Sequence, residues 1–356
     1  MAEFTVAAGL ARGAIEFAAS KGASAEALCE RSGLDLRELD DQDNRVPLTK
    51  YRALLRAAKD LCDDPAFALH FGEAVDLSAM SVVGLIGRAS QTMLEAFLQL
   101  NRYGGLVVEV DLGPTARFQI EPGDGGLWMV DTRRDPNAFF ELTESTMARV
   151  SCGCMRMVRE AGWTGPPPSL KAAHFTHPDP GYRSEYERIF RAPVIFEAER
   201  NAIMFDAEWT GFTLALQPRY AFGILSKHAD TLLDTLKRSK STRGRVESLL
   251  LPVLHTGDVS KDTIAERLGL SSHTLLRRLK TEGTTFEAVL DELRHKMALH
   301  YLDGRKVSVN ETAYLVGFSE PSAFSRAFKR WTGSSPSALR ASRASEQPGA
   351  PLPERR

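Results

Sequence analysis

The chain has 356 residues, enough for two or three domains with sizeable cores, and its 45 basic and 46 acidic side chains leave it nearly neutral. No apolar run approaches the roughly 18 residues of a membrane-spanning helix, and the start Met1-Ala-Glu-Phe-Thr-Val6 lacks the basic and apolar regions of a secretion signal. Cys29, Cys62, Cys152 and Cys154 are few and unevenly spaced, which points away from a disulfide scaffold and toward a reducing cytoplasm.

Residues 1–100 read as helices, with Leu54, Leu55, Ala58, Leu61 and Cys62, and then Met93, Leu94, Phe97, Leu98 and Leu100, at helical spacing. Ala25 to Leu39 imitates a helix-turn-helix, but Asp40, Asp41 and Asp43 adjoin it and would repel DNA, so it is expected to be a helical decoy. Partial alternation then predicts short strands at Leu106–Leu112, Ala116–Glu121 and Leu127–Asp131, punctuated by Gly113-Pro114 and Gly123-Asp-Gly-Gly126. A helix from about Phe139 to Ala161 follows, then a strand near Lys171–His177, a short helix near Tyr186 and a hairpin in Val194–Phe205. The order is that of an α+β domain rather than a doubly wound sheet.

Enzyme signatures are absent: there is no phosphate-cradling glycine loop, no His-Glu-x-x-His and no nucleophile elbow. Glu141 and Glu144, one turn apart, read as a solvated face. Cys152-Gly-Cys154 with His174 and His177 could form a soft-metal or redox site. Two cysteines do not close a structural metal site, however, and buried free thiols in an apolar helix are the plainer expectation. No cofactor is implied.

Leu216-Gln-Pro-Arg219 ends this first domain, taken as residues 1–215. A helix over Tyr220–Leu236 and a flexible basic linker, Lys237–Arg245, make a connecting segment at 216–245. The proline-bearing 341–356 reads as a disordered tail.

Between them, 246–340 reads as an all-α domain with two reader motifs. Ile264–Lys280 contains a short helix, Gly269 and a second helix with Ser271 as a natural N-cap. Leu275 and Leu279 face inward, while His273, Arg277 and Lys280 face out. Val309–Trp331 repeats the design around Gly317. Ala313, Leu315, Val316, Phe318, Phe324 and Phe328 form the apolar face, and Ser322, Ser325, Arg326 and Lys329 fall on another. Thr285–Leu302 between them is one amphipathic helix of roughly 25 Å, suited to holding two readers about one DNA turn apart. Residues 243–343 hold 16 Lys/Arg against 11 Asp/Glu, whereas residues 1–242 hold 27 against 33. Only the rear of the chain should therefore attract a phosphate backbone.

The run from Gly317 through Phe318-Ser-Glu-Pro-Ser-Ala-Phe-Ser-Arg-Ala-Phe-Lys-Arg-Trp-Thr-Gly-Ser-Ser-Pro336 resembles the signature of the AraC/XylS family of bacterial transcription regulators. That resemblance implies a seven-helix domain with two helix-turn-helix subdomains joined by a central helix. It also implies base-facing residues Ser272, His273, Leu276, Arg277 and Lys280 in the first reader, and Pro321, Ser322, Ser325 and Arg326 in the second, with Lys329 on phosphate. Arg277 has a solvated face as its plainer alternative, and Arg278 is expected to meet phosphate or solvent. Thr312 stands where the family has a larger aliphatic residue, which predicts looser packing there. His177-Pro178, Tyr186, Phe190, Pro193-Val-Ile-Phe196 and Asn201-Ala-Ile-Met-Phe-Asp206 resemble the so-called arabinose-binding effector domain of the ornithine-utilisation and VirS-like subgroup. The expected protein is an α+β effector domain joined to a DNA-binding domain. It would be a promoter-binding regulator, an activator by family, with RNA polymerase, an unknown small-molecule effector and a second copy in a homodimer as its expected partners. The alternative is a metal- or redox-sensing or constitutive regulator.

Overall fold

The computed structural model describes residues 3–112, 116–163, 170–214, 217–257, 259–303 and 307–345. It divides into two units, Met1–Asp234 and Thr235–Arg356.

The first unit begins with β1 (Thr5–Ala7), α1 (Ala8–Ser20), α2 (Ala25–Ser32), β2 (Arg45–Pro47), α3 (Leu48–Leu61), α4 (Phe67–Ala74), α5 (Val82–Ala89) and α6 (Met93–Val107). The helices match the expectation; the antiparallel β1–β2 pair among them was not foreseen. The decoy Ala25–Leu39 resolves into α2, Gly33 and a 3-10 turn at Leu36–Leu39 rather than two helices. The strand expected at Leu106–Leu112 is also corrected, because α6 continues to Val107. Its final carbonyls are capped by Arg45, which donates to the Leu106 and Gly105 oxygens, and Val108 makes only an isolated bridge to Val6.

A five-stranded sheet follows, built from β3 (Phe118–Gly123), β4 (Gly126–Asp131), β5 (Leu170–His174), β6 (Val194–Ile195) and β7 (Asn201–Asp206), in the order β3-β4-β7-β5-β6. All pairs are antiparallel except β5–β6. The expected hairpin at Val194–Phe205 is therefore not formed. The carbonyls of Pro193 and Ile195 accept the amides of Ala173 and Phe175, both at 2.9 Å, so β5 lies between β6 and β7. Two helices complete this part, α7 (Phe140–Glu160) and α8 (Arg183–Phe190). α4 lies very close to α7, and Gly72 is why: a Cβ there would stand 2.5 Å from the Ser145 carbonyl oxygen. α9 (Arg219–Lys240) is fixed through Asp230, which accepts from Tyr103 Oη at 2.8 Å and Arg102 Nη2 at 2.9 Å.

The expected flexible linker is helical. α9 runs to Lys240, and α10 (Thr242–Leu250) starts after a break at Ser241, whose hydroxyl accepts the Gly244 amide at 2.9 Å. The basic residues of this stretch are helix-end residues. Lys237, Arg238 and Lys240 occupy the last turn of α9, where cations oppose the partial negative charge of the terminus. Arg243 pairs with Glu247 at 2.8 Å.

The second unit continues with α11 (Lys261–Arg267), α12 (Ser272–Thr281), α13 (Phe286–Asp303), α14 (Val309–Leu315), α15 (Pro321–Thr332) and α16 (Pro336–Ser345). The first five residues expected in the tail thus belong to a helix, and 346–356 lie outside the described residues. Two apolar cores form here. One gathers Val246, Leu250, Ile264, Leu275, Leu279 and Val289; the other gathers Ala298, Ala313, Val316, Phe324 and Phe328. α13 contributes to both, with Met297 packed against each.

Candidate nucleic-acid interface

The two reader motifs are built by the same local chemistry. α11 and α14 start on serine caps, Ser260 and Ser308, and the second is a full capping box with Glu311. Each first helix ends at a left-handed glycine, Gly269 at φ 65° and Gly317 at φ 81°. The turns repeat one hydrogen-bond pattern: Leu270 N to Ala265 O and Phe318 N to Ala313 O, both 2.9 Å. Gly317 has a further constraint, since a Cβ there would sit 2.2 Å from the Leu254 carbonyl oxygen. Ser271 then caps α12 through the Thr274 amide, and Pro321 opens α15 at a position where no amide is needed.

The second helix of each motif buries one face. Leu275 and Leu279 are fully buried in α12, as are Phe324 and Phe328 in α15. Measured from these pairs, Arg277 and Lys280 hold the same helical offsets as Arg326 and Lys329, and all four are exposed. His273 and Ser322, one residue into the first turn, are exposed as well. The structure therefore brings most of the expected reader residues onto two matching open faces.

Four behave differently. Ser272 is half-buried and its hydroxyl is held by Asp262. Leu276 is half-buried and packs against the first core, so much of its apolar surface is already used. Pro321 and Ser325 are half-buried. Arg278 is exposed on α12. Thr312 corrects the expectation of loose packing: it is fully buried, and its hydroxyl donates to the Ser308 carbonyl at 2.8 Å.

Arg294 on α13 was missed. Its guanidinium donates to the carbonyls of Val316 at 3.2 Å and Gly317 at 3.1 Å, and lies 4.8 Å from the centre of the Phe318 ring. It ties the central helix to the turn of the second reader. The available signal was a lone arginine in an otherwise apolar helical stripe.

Residues 22–213 match the family model described as the arabinose-binding domain of AraC transcription regulator, N-term, and residues 264–342 match a helix-turn-helix domain model. The chain belongs to the AraC family of transcription regulators. Its AraC-type relatives include the ornithine utilization regulator of Pseudomonas aeruginosa, 28% identical over 92% of this chain and 93% of that protein. They also include VirS of Mycobacterium tuberculosis, 26% identical over 84% and 86%. Among solved structures, the transcriptional regulator CdpR of Pseudomonas aeruginosa is 24% identical over 78% of this chain and 87% of that one, with a TM-score of 0.35. This AraC-family chain is thus a DNA-binding transcription regulator. No described helix is long and apolar enough to cross a membrane.

The first unit holds several residues singled out by sequence. Cys154 is buried and Cys152 partly so, with burial pushing both thiols up. Among the described residues no three His, Cys, Asp or Glu groups converge as metal ligands would. His177 is buried, its Nδ1 2.8 Å from the Pro178 carbonyl oxygen. Glu144 is a correction. Far from a solvated face, it is fully buried and accepts the hydroxyls of Tyr182, at 2.7 Å, and Tyr186. Burial pushes its carboxyl up to about 7, against the opposing pull of the two tyrosines.

Proposed function

We propose that this regulator sets α12 and α15 into successive major grooves of promoter DNA and that its first unit responds to a small molecule. The observation that carries the DNA reading is the matched pair of exposed faces. Arg277 with Lys280 and Arg326 with Lys329 stand at equal offsets on two helices whose opposite faces are buried. On each helix the arginine suits a guanine edge bidentately; Lys280 is a further base-facing candidate, and Lys329 suits phosphate. Around them, His273, Ser322 and Ser325 are the further base-facing candidates, with Leu276 and Pro321 offering apolar edges and Ser272 a minor role. Activation through RNA polymerase is the accompanying proposal, supported by family membership. A ligand would act by favouring one of two arrangements or assembly states of the protein.

The test is a pair of alanine variants in quantitative DNA binding. Arg326→Ala should weaken binding to the specific site by about 1–3 kcal/mol while sparing random DNA. Lys329→Ala should weaken binding to all sequences and flatten the dependence on salt. An unchanged ratio of specific to random binding in Arg326→Ala removes that residue from base reading. Ligand response is tested by thermal unfolding of the full chain against a metabolite panel.

A further inference from the structure

The first unit contains a partly open cavity of about 110 Å³ between α5, α6, α7 and β3. It is comparable with a cavity of about 150 Å³ that holds a benzene ring. Its walls are largely apolar, with Met93, Phe97, Leu100, Phe118 and Met157 among them. Two guanidiniums also reach it, Arg117 from the segment before β3 and Arg149 from α7, each only 6% exposed. Both donate to one neutral acceptor, the Thr146 hydroxyl, Arg117 Nη2 at 3.3 Å and Arg149 Nη2 at 3.5 Å. Arg117 Nε has no hydrogen-bond partner, and neither has Asp131 Oδ2, which lies 3.7 Å from Arg117 Nη2; beyond Thr146 the Arg149 guanidinium faces only the neutral, buried Tyr51 hydroxyl.

The charge does not balance. Arg133 is buried nearby as well, where Asp131, Asp135 and Glu141 favour its charge and Arg117 opposes it, so Asp131 lies between Arg117 and Arg133 while Arg149 has no carboxylate beside it. Buried cations with spare N–H donors are costly, and an anion that accepts those donors relieves the cost. The guanidinium fork favours a planar carboxylate, and the surrounding walls favour a hydrocarbon body. At the margin Arg88 is paired with Asp76 and Glu160, and Arg156 donates to the carbonyls of Glu73, Ala74 and Val75; Asp76 is the one acidic group in the lining. Cationic metabolites such as diamines are disfavoured here.

We infer that this cavity binds a small carboxylate with an apolar body, its carboxylate on Arg117 and Arg149 and its body against Phe97, Phe118 and Met157. The inference rests on the reading of the first unit as a small-molecule sensor and names the chemical class.

The experiment is thermal unfolding and titration calorimetry of the full chain with butyrate, hexanoate, octanoate and benzoate, beside hexanol and hexylamine. At least one carboxylate should bind saturably and raise the unfolding midpoint, while the alcohol and the amine should not. Arg149→Met should weaken that binding about tenfold or more, as expected for losing a charge-assisted hydrogen bond. The unliganded midpoint of that variant should hold or rise, because an unbalanced cation leaves the interior; a merely structural arginine would lower it. Arg117→Met should weaken carboxylate binding in the same way, but its unliganded midpoint should fall, because it takes a cation from the buried Asp131. Hexanol matching hexanoate, or carboxylates binding Arg149→Met undiminished, overturns the assignment. A response to hexylamine or a sugar, with none to any carboxylate, also overturns it but leaves small-molecule sensing in place. Silence from every compound in the wider metabolite panel would count against sensing itself.

Discussion

The two units place charge in opposite ways. In the reader unit the cores of Leu275, Leu279, Phe324 and Phe328 are apolar, and the cations Arg277, Lys280, Arg326 and Lys329 stand outside. In the first unit Arg117, Asp131, Arg133, Glu144, Arg149 and His177 are all buried. A surface that meets a polyanion needs its charges in water until the partner arrives. A pocket that selects a small ligand needs them dry, where each unmet hydrogen bond is expensive and so discriminates. Stability and function are thus separable in the reader unit and entangled in the first.

The largest effect should come from breaking the apolar core of the reader unit. Phe328→Ala removes a fully buried ring that meets Phe324 and Trp331, and should cost about 3–5 kcal/mol in denaturant unfolding of the second unit. A loss below about 1 kcal/mol would mean that this core is not tightly packed.

Next is the pH response of the buried carboxylate. The folded value of Glu144 is raised to about 7 from 4.5, so its protonated form is the stable one in the folded state. The contribution is complete below the unfolded value and is lost as pH rises through the folded one. Between about pH 4.5 and 8 the wild type should lose roughly 3 kcal/mol relative to Glu144→Gln, which keeps a neutral partner for Tyr182 and Tyr186. Parallel stability curves for the two proteins across that window would show that Glu144 does not titrate there.

The same contrast explains what could be read from sequence. The readers were legible because their determinants are local. A glycine between two short helices, apolar residues at three and four, and polar residues opposite specify the motif without reference to anything distant. Most expected reader residues accordingly lie on open faces, and Leu276 and Ser272 depart because the first core and Asp262 engage them. In the first unit the informative contacts join residues far apart in the chain. Glu144 looks like Glu141 until Tyr182 and Tyr186 are placed over it, and Arg149 looks like any helical arginine until Arg117 faces it across Thr146. Strand order failed for the same reason, since nothing local to Val194–Phe205 says that β5 intervenes. The segment 237–245 misled through composition, because basic and polar residues serve helix ends as readily as flexible linkers.

The smallest effect tests whether exposed charge on the reader unit is uniform in meaning. Arg330 follows Lys329 on α15 but is paired with Asp291 of α13 at 2.7 Å, both side chains open to solvent. Such a pair gains little Coulomb energy in water and loses side-chain freedom, so Arg330→Ala should change stability by no more than about 0.5 kcal/mol. Its partner on α13 already neutralises it, although it stands one helical turn beyond Arg326. Specific and random DNA binding should therefore both stay within about twofold of wild type, against the larger losses expected for its two neighbours. A specificity loss in Arg330→Ala equal to that of Arg326→Ala would mean that the reading face of α15 is rotated toward α13, and that the correspondence with α12 does not describe how the second reader meets DNA.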